Sequence, residues 1–312
     1  MKHVWLLALL PLHFLRAAAP EACETVQSIA EKQLALFKDV LIAGGAGAVG
    51  VGAELRWMHL QNRHLCGLPF SNSPHFWYRG YVLNAVARFP TMSIQFVAYD
   101  AFTRYLLNLT RHEGKPLSDQ DRIIAASTAG ALSASVATPN EMLFMYRHNQ
   151  ELQKTMLEKT TSFYTIVKHL VNHHGIQSLW RGLGPAVIRN SIITTAWVPE
   201  WGGHISNAFD LHDSDYEWTA NIAGGATAAL CAALLTTPPN TAKVLMQGDI
   251  DGKIYPTMFS VFKSLYNESG FKTLIGRGLG FRTGQVVSGV VFVRLYFEAL
   301  KELGIYAEEG KE

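Results

Sequence analysis

Cysteine is scarce in this sequence of 312 residues. Cys23, Cys66 and Cys231 are too few and too widely spaced for a disulfide framework or a zinc site. The sequence also lacks a P-loop, a zinc-binding His-Glu helix motif and a Gly-x-Ser-x-Gly elbow, which excludes the chemistry that these motifs support. We therefore expect no metal site and no cofactor. The adjacent His173 and His174 do not change that expectation.

Charged residues are also few. They make up 17% of the chain, below the quarter that is usual in soluble domains, while hydrophobic residues make up 48%. This composition excludes a disordered chain, which needs low hydrophobicity and high charge. The net charge of +2 gives no field of the kind that attracts nucleic acid, so we expect no nucleic-acid partner. The composition favours a membrane protein.

Two apolar runs contain no charged residue, at positions 123–140 and 219–242. A helix needs about 20 apolar residues to cross a bilayer, so both runs are long enough or nearly so. Four shorter charge-free runs lie at 41–53, 89–99, 190–199 and 283–293. Membrane helices that line a watery cavity have this character, because only one face meets lipid. Buried core helices of a soluble helical protein are the alternative.

The N-terminal segment has the layout of a secretory leader. Basic residues come first, an apolar stretch follows to Leu15, and small residues end it at Ala19. The apolar stretch is too short for a membrane span. Pro20 is an unfavourable neighbour for a cleavage site, so a cleaved leader and a retained anchor remain equal alternatives for residues 1–33.

An internal repeat of roughly 100 residues runs through the rest of the chain. One recurring position is Glu54, Glu141 and Asn240, preceded by Pro139 and Pro239 in the second and third units. A second is the Arg-Gly step, which occurs at 79–80, 181–182 and 277–278. Each unit reads as helix, short amphipathic segment, helix, and the segment is shortened in the first unit. The predicted units are residues 34–116, 117–212 and 213–312.

These motifs, in this order, resemble the mitochondrial carrier family. The family motif Pro-x-acid-x-x-base, followed by Gln, is matched closely by Pro238 to Gln247, with Asn240 for the acid, and more loosely around Glu141 and Glu54. The aromatic-acid-x-x-base motif is complete at Phe297 to Lys301 and lacks its base after Asp100. The resemblance implies an all-α membrane protein with six transmembrane helices in three tandem repeats and pseudo-threefold symmetry.

The resemblance also implies two gates of ion pairs. In an α-helix the acid, the base and the Gln of the first motif share one face, which points into the bundle. Applied to this chain, Glu141 faces Lys243, Glu54 faces Phe144 and Asn240 faces Trp57, with Gln61 and Gln247 as braces. Asp100, Glu298 and Lys301 belong to the second gate. Because only one of the three facing pairs at the first gate joins opposite charges, we expect weakened gates.

Family members contact their substrates midway along the even-numbered helices. The matching positions here are Arg88, Arg189, Asn190 and Gln285, with Arg282 and Arg294 nearby. Guanidinium groups bind carboxylates and phosphates through paired hydrogen bonds, and a charge at membrane depth favours a functional interpretation. The alternative for Arg189 is a structural cap on backbone carbonyls.

The resemblance therefore implies a carrier that is not an enzyme and moves a small anionic metabolite by alternating access. A dicarboxylate or a keto acid is the favoured solute, and exchange of solutes is the family's usual mode. We expect a monomer in a lipid bilayer, multi-pass, in the mitochondrial inner membrane. The alternative is a non-transporting adaptor or scaffold that keeps the carrier fold, which the degraded gates would suit.

Overall fold

A computed structural model describes residues 20–65, 67, 81–110, 118–150, 163–196 and 214–303. The chain divides into two compact units, Met1–Ile42 and Ala43–Glu312. The described part of the first unit is the start of one helix, α1, which spans Pro20–Leu65. Residues 1–19 and the Arg-Gly step at 79–80 lie outside the described residues. All regular structure that follows belongs to the second unit.

The described secondary structure is entirely helical, as the sequence predicts. Five long helices follow α1: α2 (Tyr81–Thr110), α3 (Asp119–Gln150), α5 (Leu183–Ala196), α6 (Ser214–Gly248) and α9 (Leu279–Glu302). Shorter helices connect them: α4 (Phe163–His174), a 3₁₀ helix (Ile176–Trp180), α7 (Met258–Ser269) and α8 (Phe271–Gly276). Among the residues that the structure describes, none of these helices combines the length and the apolar character that crossing a bilayer requires.

The six long helices pack in a closed order within the second unit. Helix α2 packs on α3, α3 on α5, α5 on α6 and α6 on α9. The order closes through α1, because the Tyr81 hydroxyl of α2 donates to the carbonyl of Ala48 and the Ser288 hydroxyl of α9 donates to that of Ala53. Helices α1, α3 and α6 meet in a buried cluster of Leu65, Met145 and Val244.

Proline lies inside the helices at the predicted motif positions. Pro139 has no N–H to offer to the carbonyl of Ser135, one turn earlier in α3. The indole N–H of Trp180 donates to that carbonyl instead, at 3.0 Å. In the turn before each proline, Thr138 and Thr237 donate their hydroxyl protons to carbonyls four residues back, both at 2.6 Å. The same local device therefore occurs in α3 and α6.

The second and third sequence repeats each contain a surface helix, α4 and α7 respectively. Ile166 and Leu170 of α4 bury against Met142 of α3, and Val261 and Leu265 of α7 bury against α6. Each surface helix is followed by a glycine with positive φ: Gly175 at 76° and Gly270 at 73°. Glycine reaches this left-handed region at low cost, which ends the helix and turns the chain.

The Arg-Gly steps at 181–182 and 277–278 are contact points between neighbouring sequence repeats. An added Cβ at Gly182 would lie 3.4 Å from Cγ of Gln247, and one at Gly278 would lie 3.5 Å from Cγ of Gln61. Both glycines have positive φ, at 81° and 79°. In both places a glycine of one sequence repeat packs against a glutamine of another, so the packing repeats as the sequence repeat predicts.

The close packing of α3 on α5 makes a stability prediction at Gly130. A Cβ there would lie 2.5 Å from the carbonyl oxygen of Asn190, which is backbone and cannot move aside alone. We expect Gly130→Ala to lower stability by about 1–3 kcal/mol, the range of overpacking substitutions. Thermal unfolding of the purified protein measures this. Gly184→Ala is the control, because that glycine is exposed and an added Cβ meets no atom within 4 Å. Equal melting temperatures for the two variants would contradict the packing.

Candidate functional site

A polar cavity lies between the long helices of the second unit. Its volume, measured for the centres of water-sized molecules, is about 60 Å³. This is room for about four to six waters, or a small solute in their place. The charged and amide side chains that line it come from α1, α2, α3, α5 and α9: Glu54, Asn84, Arg88, Gln95, Asn140, Glu141, Arg189, Asn190, Arg282 and Gln285. Five of the six predicted solute contacts therefore lie on one cavity.

Glu141 lies between two cations. Its Oε2 accepts a hydrogen bond from Nζ of Lys243 at 3.0 Å, and its Oε1 accepts one from Nη2 of Arg189 at 2.7 Å. The side chains of Lys243 and Arg189 are 8% and 7% exposed, so little water reaches either charge. The predicted Glu141–Lys243 pair is thus present, and Arg189 shares its carboxylate. Asn190 orients the same guanidinium, because its Oδ1 accepts from Nε and from Nη2.

Glu54 pairs with Arg88 rather than facing Phe144. Nη2 of Arg88 donates to Oε2 of Glu54 at 2.8 Å, and Nε2 of Gln285 lies 3.5 Å from the same oxygen. The predicted position opposite Phe144 is therefore wrong for the carboxylate. The carboxylate of Glu54 is buried, so it lies where a guanidinium compensates its charge. An aromatic ring such as that of Phe144 offers no such compensation.

Asn240 and Trp57, the other predicted pair, have different neighbours. Oδ1 of Asn240 accepts a hydrogen bond from Nη1 of Arg189 at 3.4 Å. Trp57 packs against Gly284 of α9, where an added Cβ would lie only 2.6 Å from the indole. The missing side chain at Gly284 makes room for the indole there. Phe144 packs on His59, with ring centroids 5.2 Å apart.

The two predicted glutamine braces do not reach the ion pair. Nε2 of Gln247 donates to the carbonyl of Arg181 at 3.3 Å, and its Oε1 is buried without a hydrogen-bond partner in the described part of the chain. Nε2 of Gln61 is likewise buried and has no partner among the described residues. Both glutamines pack on the Arg-Gly steps instead, so their contacts are between units.

Arg282 is the cation of the cavity with the least compensation. The residue is 2% exposed. Its Nη1 donates to Oε1 of Gln285 at 2.8 Å, and its Nε donates to Oγ1 of Thr236 at 3.3 Å. Nη2 is buried and makes no hydrogen bond to any described residue, and no described carboxylate lies within ion-pair distance of this guanidinium. An unpaired buried donor of this kind is costly unless something binds it.

The charges around the cavity do not balance among the described side chains. Arg88, Arg189 and Arg282 line the cavity with three positive charges, and Glu54 and Glu141 line it with two negative ones. Lys243, which binds Glu141 from outside the lining, adds a fourth positive charge. Arg88 and Arg189 each have a carboxylate, whereas Arg282 has neutral partners. The lining therefore has an excess of one positive charge, Lys243 beside it adds a second, and the cavity attracts an anion.

The second predicted gate is described only in part. Asp100 forms an ion pair with Arg104, one turn later on the same helix, at 2.9 Å. Their side chains are 54% and 70% exposed, so the pair lies in solvent and contributes little. The side chains of Arg294, Glu298 and Lys301 lie outside the described part of the structure.

Several cavity residues were not predicted from the sequence. Gln95 lines the cavity, and its amide donates to the hydroxyl of Thr194 on α5. Asn84 and Asn140 also line the cavity. The signal that could have found them is an amide side chain in an otherwise apolar run, which needs a polar partner.

Comparison with known proteins gives a consistent family. The profile of the family described as "Mitochondrial carrier protein" matches residues 115–198 and 214–306, more than half of the chain. Three relatives are similar to this chain, and the percentages give the sequence identity, then the matched share of this chain and the matched share of the relative. They are mitochondrial substrate carrier family protein H of Dictyostelium discoideum (23% identical; 74% and 75%), the mitochondrial adenyl nucleotide antiporter SLC25A25 of Rattus norvegicus (24%; 72% and 47%) and mitochondrial thiamine pyrophosphate carrier 1 of Scheffersomyces stipitis (23%; 52% and 53%). The chain thus spans from about half to three quarters of the length of these relatives.

The shared carboxylate at Glu141 makes a second stability prediction. Glu141→Gln leaves Arg189 and Lys243 buried without their counter-charge, which we expect to cost about 3–5 kcal/mol of unfolding free energy. Denaturant or thermal unfolding in detergent measures it. Asp100→Asn is the matched control, because the exposed pair with Arg104 contributes at most about 1 kcal/mol. An equally small effect of both substitutions would show that Glu141 does not compensate these cations.

Proposed function

The chain belongs to the mitochondrial carrier family, and from this premise we propose that it carries a small anionic metabolite across a membrane by alternating access. Relatives of this family are named as carriers of small solutes, among them adenyl nucleotides and thiamine pyrophosphate, both of which are anionic. The family consists of transporters rather than enzymes, and its members are multi-pass proteins of the mitochondrial inner membrane. We propose the same membrane for this chain.

The observation that carries the proposal is the unpaired guanidinium of Arg282. Nη2 of this buried side chain has no hydrogen-bond partner among the described residues, and the side chain lines the cavity. A carboxylate or phosphate oxygen supplies both the acceptor and the negative charge that this position lacks. Cations that stay buried without an anion are unfavourable, so a bound solute anion would complete the site.

The favoured solute class is a small dianion, with a dicarboxylate or a dicarboxylic keto acid as the example. A dianion balances the excess of two positive charges around the cavity. One carboxylate would bind Arg282 beside Gln285, and the other would share Arg88 or Arg189 with the side-chain carboxylate already there. The volume of about 60 Å³ favours such a solute over a nucleotide in this conformation.

Glu141 and Lys243 are the proposed gate pair on one side of the cavity. Their hydrogen bond joins α3 to α6, two helices that also meet at the buried contact of Met145 with Val244. Opening this side requires the pair to separate. Because Arg189 holds the other oxygen of Glu141, the carboxylate keeps one cationic partner when Lys243 leaves. Asp100, Glu298 and Lys301 are the proposed gate positions on the other side.

A non-transporting adaptor is the second candidate function. One observation favours it: Arg88 and Arg189 are already paired with carboxylates of the chain itself, at 2.8 Å and 2.7 Å. Those carboxylates occupy two positions that a solute would otherwise bind. In that case the fold serves as a membrane scaffold, and the cavity holds water.

Solute uptake by the reconstituted protein tests the proposal. Liposomes containing the purified chain are offered labelled succinate, 2-oxoglutarate, phosphate and ATP, each with and without unlabelled solute inside. We expect uptake of the small dicarboxylates and at least about tenfold slower uptake by Arg282→Gln, since a charged hydrogen bond is worth about 1.5–3 kcal/mol. Lys263→Gln is the control, because that side chain is exposed on the surface helix α7 and belongs neither to the cavity lining nor to a proposed gate.

The two candidate functions predict different outcomes of this experiment. Uptake that Arg282→Gln reduces and Lys263→Gln leaves unchanged supports the carrier. Correctly folded protein that moves none of the four solutes contradicts the carrier and favours the adaptor. Uptake that is the same in both variants contradicts the assignment of Arg282 to the solute site.

A further inference from the structure

Two imidazoles lie together on the surface helix α4, outside the cavity. The ring centroids of His169 and His173 are 4.0 Å apart, with an angle of 33° between the ring planes. His173 is exposed and His169 is partly buried against Tyr146, whose ring centroid lies 6.0 Å away. The buried face of α4 is formed by Ile166 and Leu170. The histidines are therefore not part of the core that holds this helix.

The spacing of the two histidines suits chelation. Residues four positions apart lie on the same face of a helix, about one turn from each other. Two histidines at this spacing bind one metal ion in the helical His-x-x-x-His arrangement. The sequence prediction considered the adjacent His173 and His174, which point in directions about 100° apart and do not converge.

The hydrogen bonding of His173 leaves one ring nitrogen available. Its Nδ1 lies 2.9 Å from the carbonyl oxygen of His169. A carbonyl accepts and never donates, so Nδ1 carries the proton and Nε2 of the neutral ring keeps its lone pair. A hydrogen bond to the far nitrogen is also the usual way in which proteins orient a metal-binding histidine.

Comparison with the third sequence repeat shows that the packing of this surface helix does not need the two imidazoles. Counted back from Gly270 as His169 and His173 are from Gly175, the equivalent positions of α7 are Ser264 and Glu268. Both helices bury the same two apolar positions, Ile166 and Leu170 in one and Val261 and Leu265 in the other. The imidazole pair is thus an addition to α4, not a requirement of the repeat.

We propose that His169 and His173 form a two-imidazole site for one borderline transition-metal ion, with Cu²⁺ or Zn²⁺ as the chemical class. No group of three His, Cys, Asp or Glu side chains in the described ranges is arranged to hold a metal. Water therefore completes the coordination, and the ion exchanges readily, unlike the closed four-ligand sites of structural zinc. The bound ion bridges one turn of α4 and stabilises that helix.

Copper binding by the full-length purified chain tests this site. The protein carries no histidine tag, and one equivalent of Cu²⁺ is added at pH 7.5. Every sample compared, the otherwise wild-type protein included, carries His3→Gln, because an amino-terminal Met-Lys-His sequence binds Cu²⁺ on its own. We expect an electron paramagnetic resonance spectrum with two equatorial nitrogen ligands and a rise in melting temperature. His173→Gln should weaken the apparent affinity by at least about tenfold, because the chelate then has one imidazole. His169→Gln should do the same.

His174→Gln is the matched control. That ring is adjacent in sequence and carries an imidazole, but its Nδ1 lies 3.3 Å from Oδ1 of Asp251. Unchanged copper binding in this variant, with losses in the other two, supports the site. Equal affinity in the wild type and in the His169→Gln, His173→Gln double variant contradicts it, as does an equal loss in His174→Gln. Melting temperatures without copper show whether each variant is folded, and none of these outcomes depends on solute transport.

Discussion

The carboxylate of Glu141 is the interaction on which the arrangement around the cavity depends. Its two oxygens bind Arg189 of α5 and Lys243 of α6, at 2.7 Å and 3.0 Å, and it belongs to α3. Three helices are thus joined by one carboxylate. Two buried cations can lie this close only because an anion lies between them, since unpaired charges in a protein interior are costly. The positions of Asn190 and Asn240, which both contact Arg189, follow from the same demand.

Of the three guanidinium groups that line the cavity, two are paired with a carboxylate and one is not. Glu54 compensates Arg88 as Glu141 compensates Arg189, whereas Arg282 has only the neutral oxygens of Gln285 and Thr236. A cavity that pairs two of its guanidinium groups internally and leaves a third open is polarised toward Arg282. This asymmetry is what distinguishes an anion site from a set of structural ion pairs, in which every cation would have its own carboxylate.

The sequence predicts the helical class, the repeat of the second and third units and the Glu141–Lys243 pair, because motif spacing on a helix determines which face a residue occupies. It also predicts that Arg88, Arg189 and Arg282 share a cavity. It does not predict their partners. Glu54 binds Arg88, and Trp57 packs on Gly284, because these contacts depend on distances between helices and on the volume of the facing residue. Sequence spacing within one helix contains neither quantity, and the amides of Gln95 and Asn84 were missed for the same reason.

Binding of three solutes of the same length tests the central claim, which is that the cavity, together with Lys243 beside it, has two more positive than negative charges. Succinate, butyrate and 1,4-butanediol have four-carbon chains and carry two, one and no negative charges at neutral pH. The purified chain is titrated with each at the same ionic strength, and heat of binding and melting temperature are measured. The account predicts the largest stabilisation by succinate, a smaller one by butyrate and none by the diol. Equal effects of all three, or none from any of them, would contradict it.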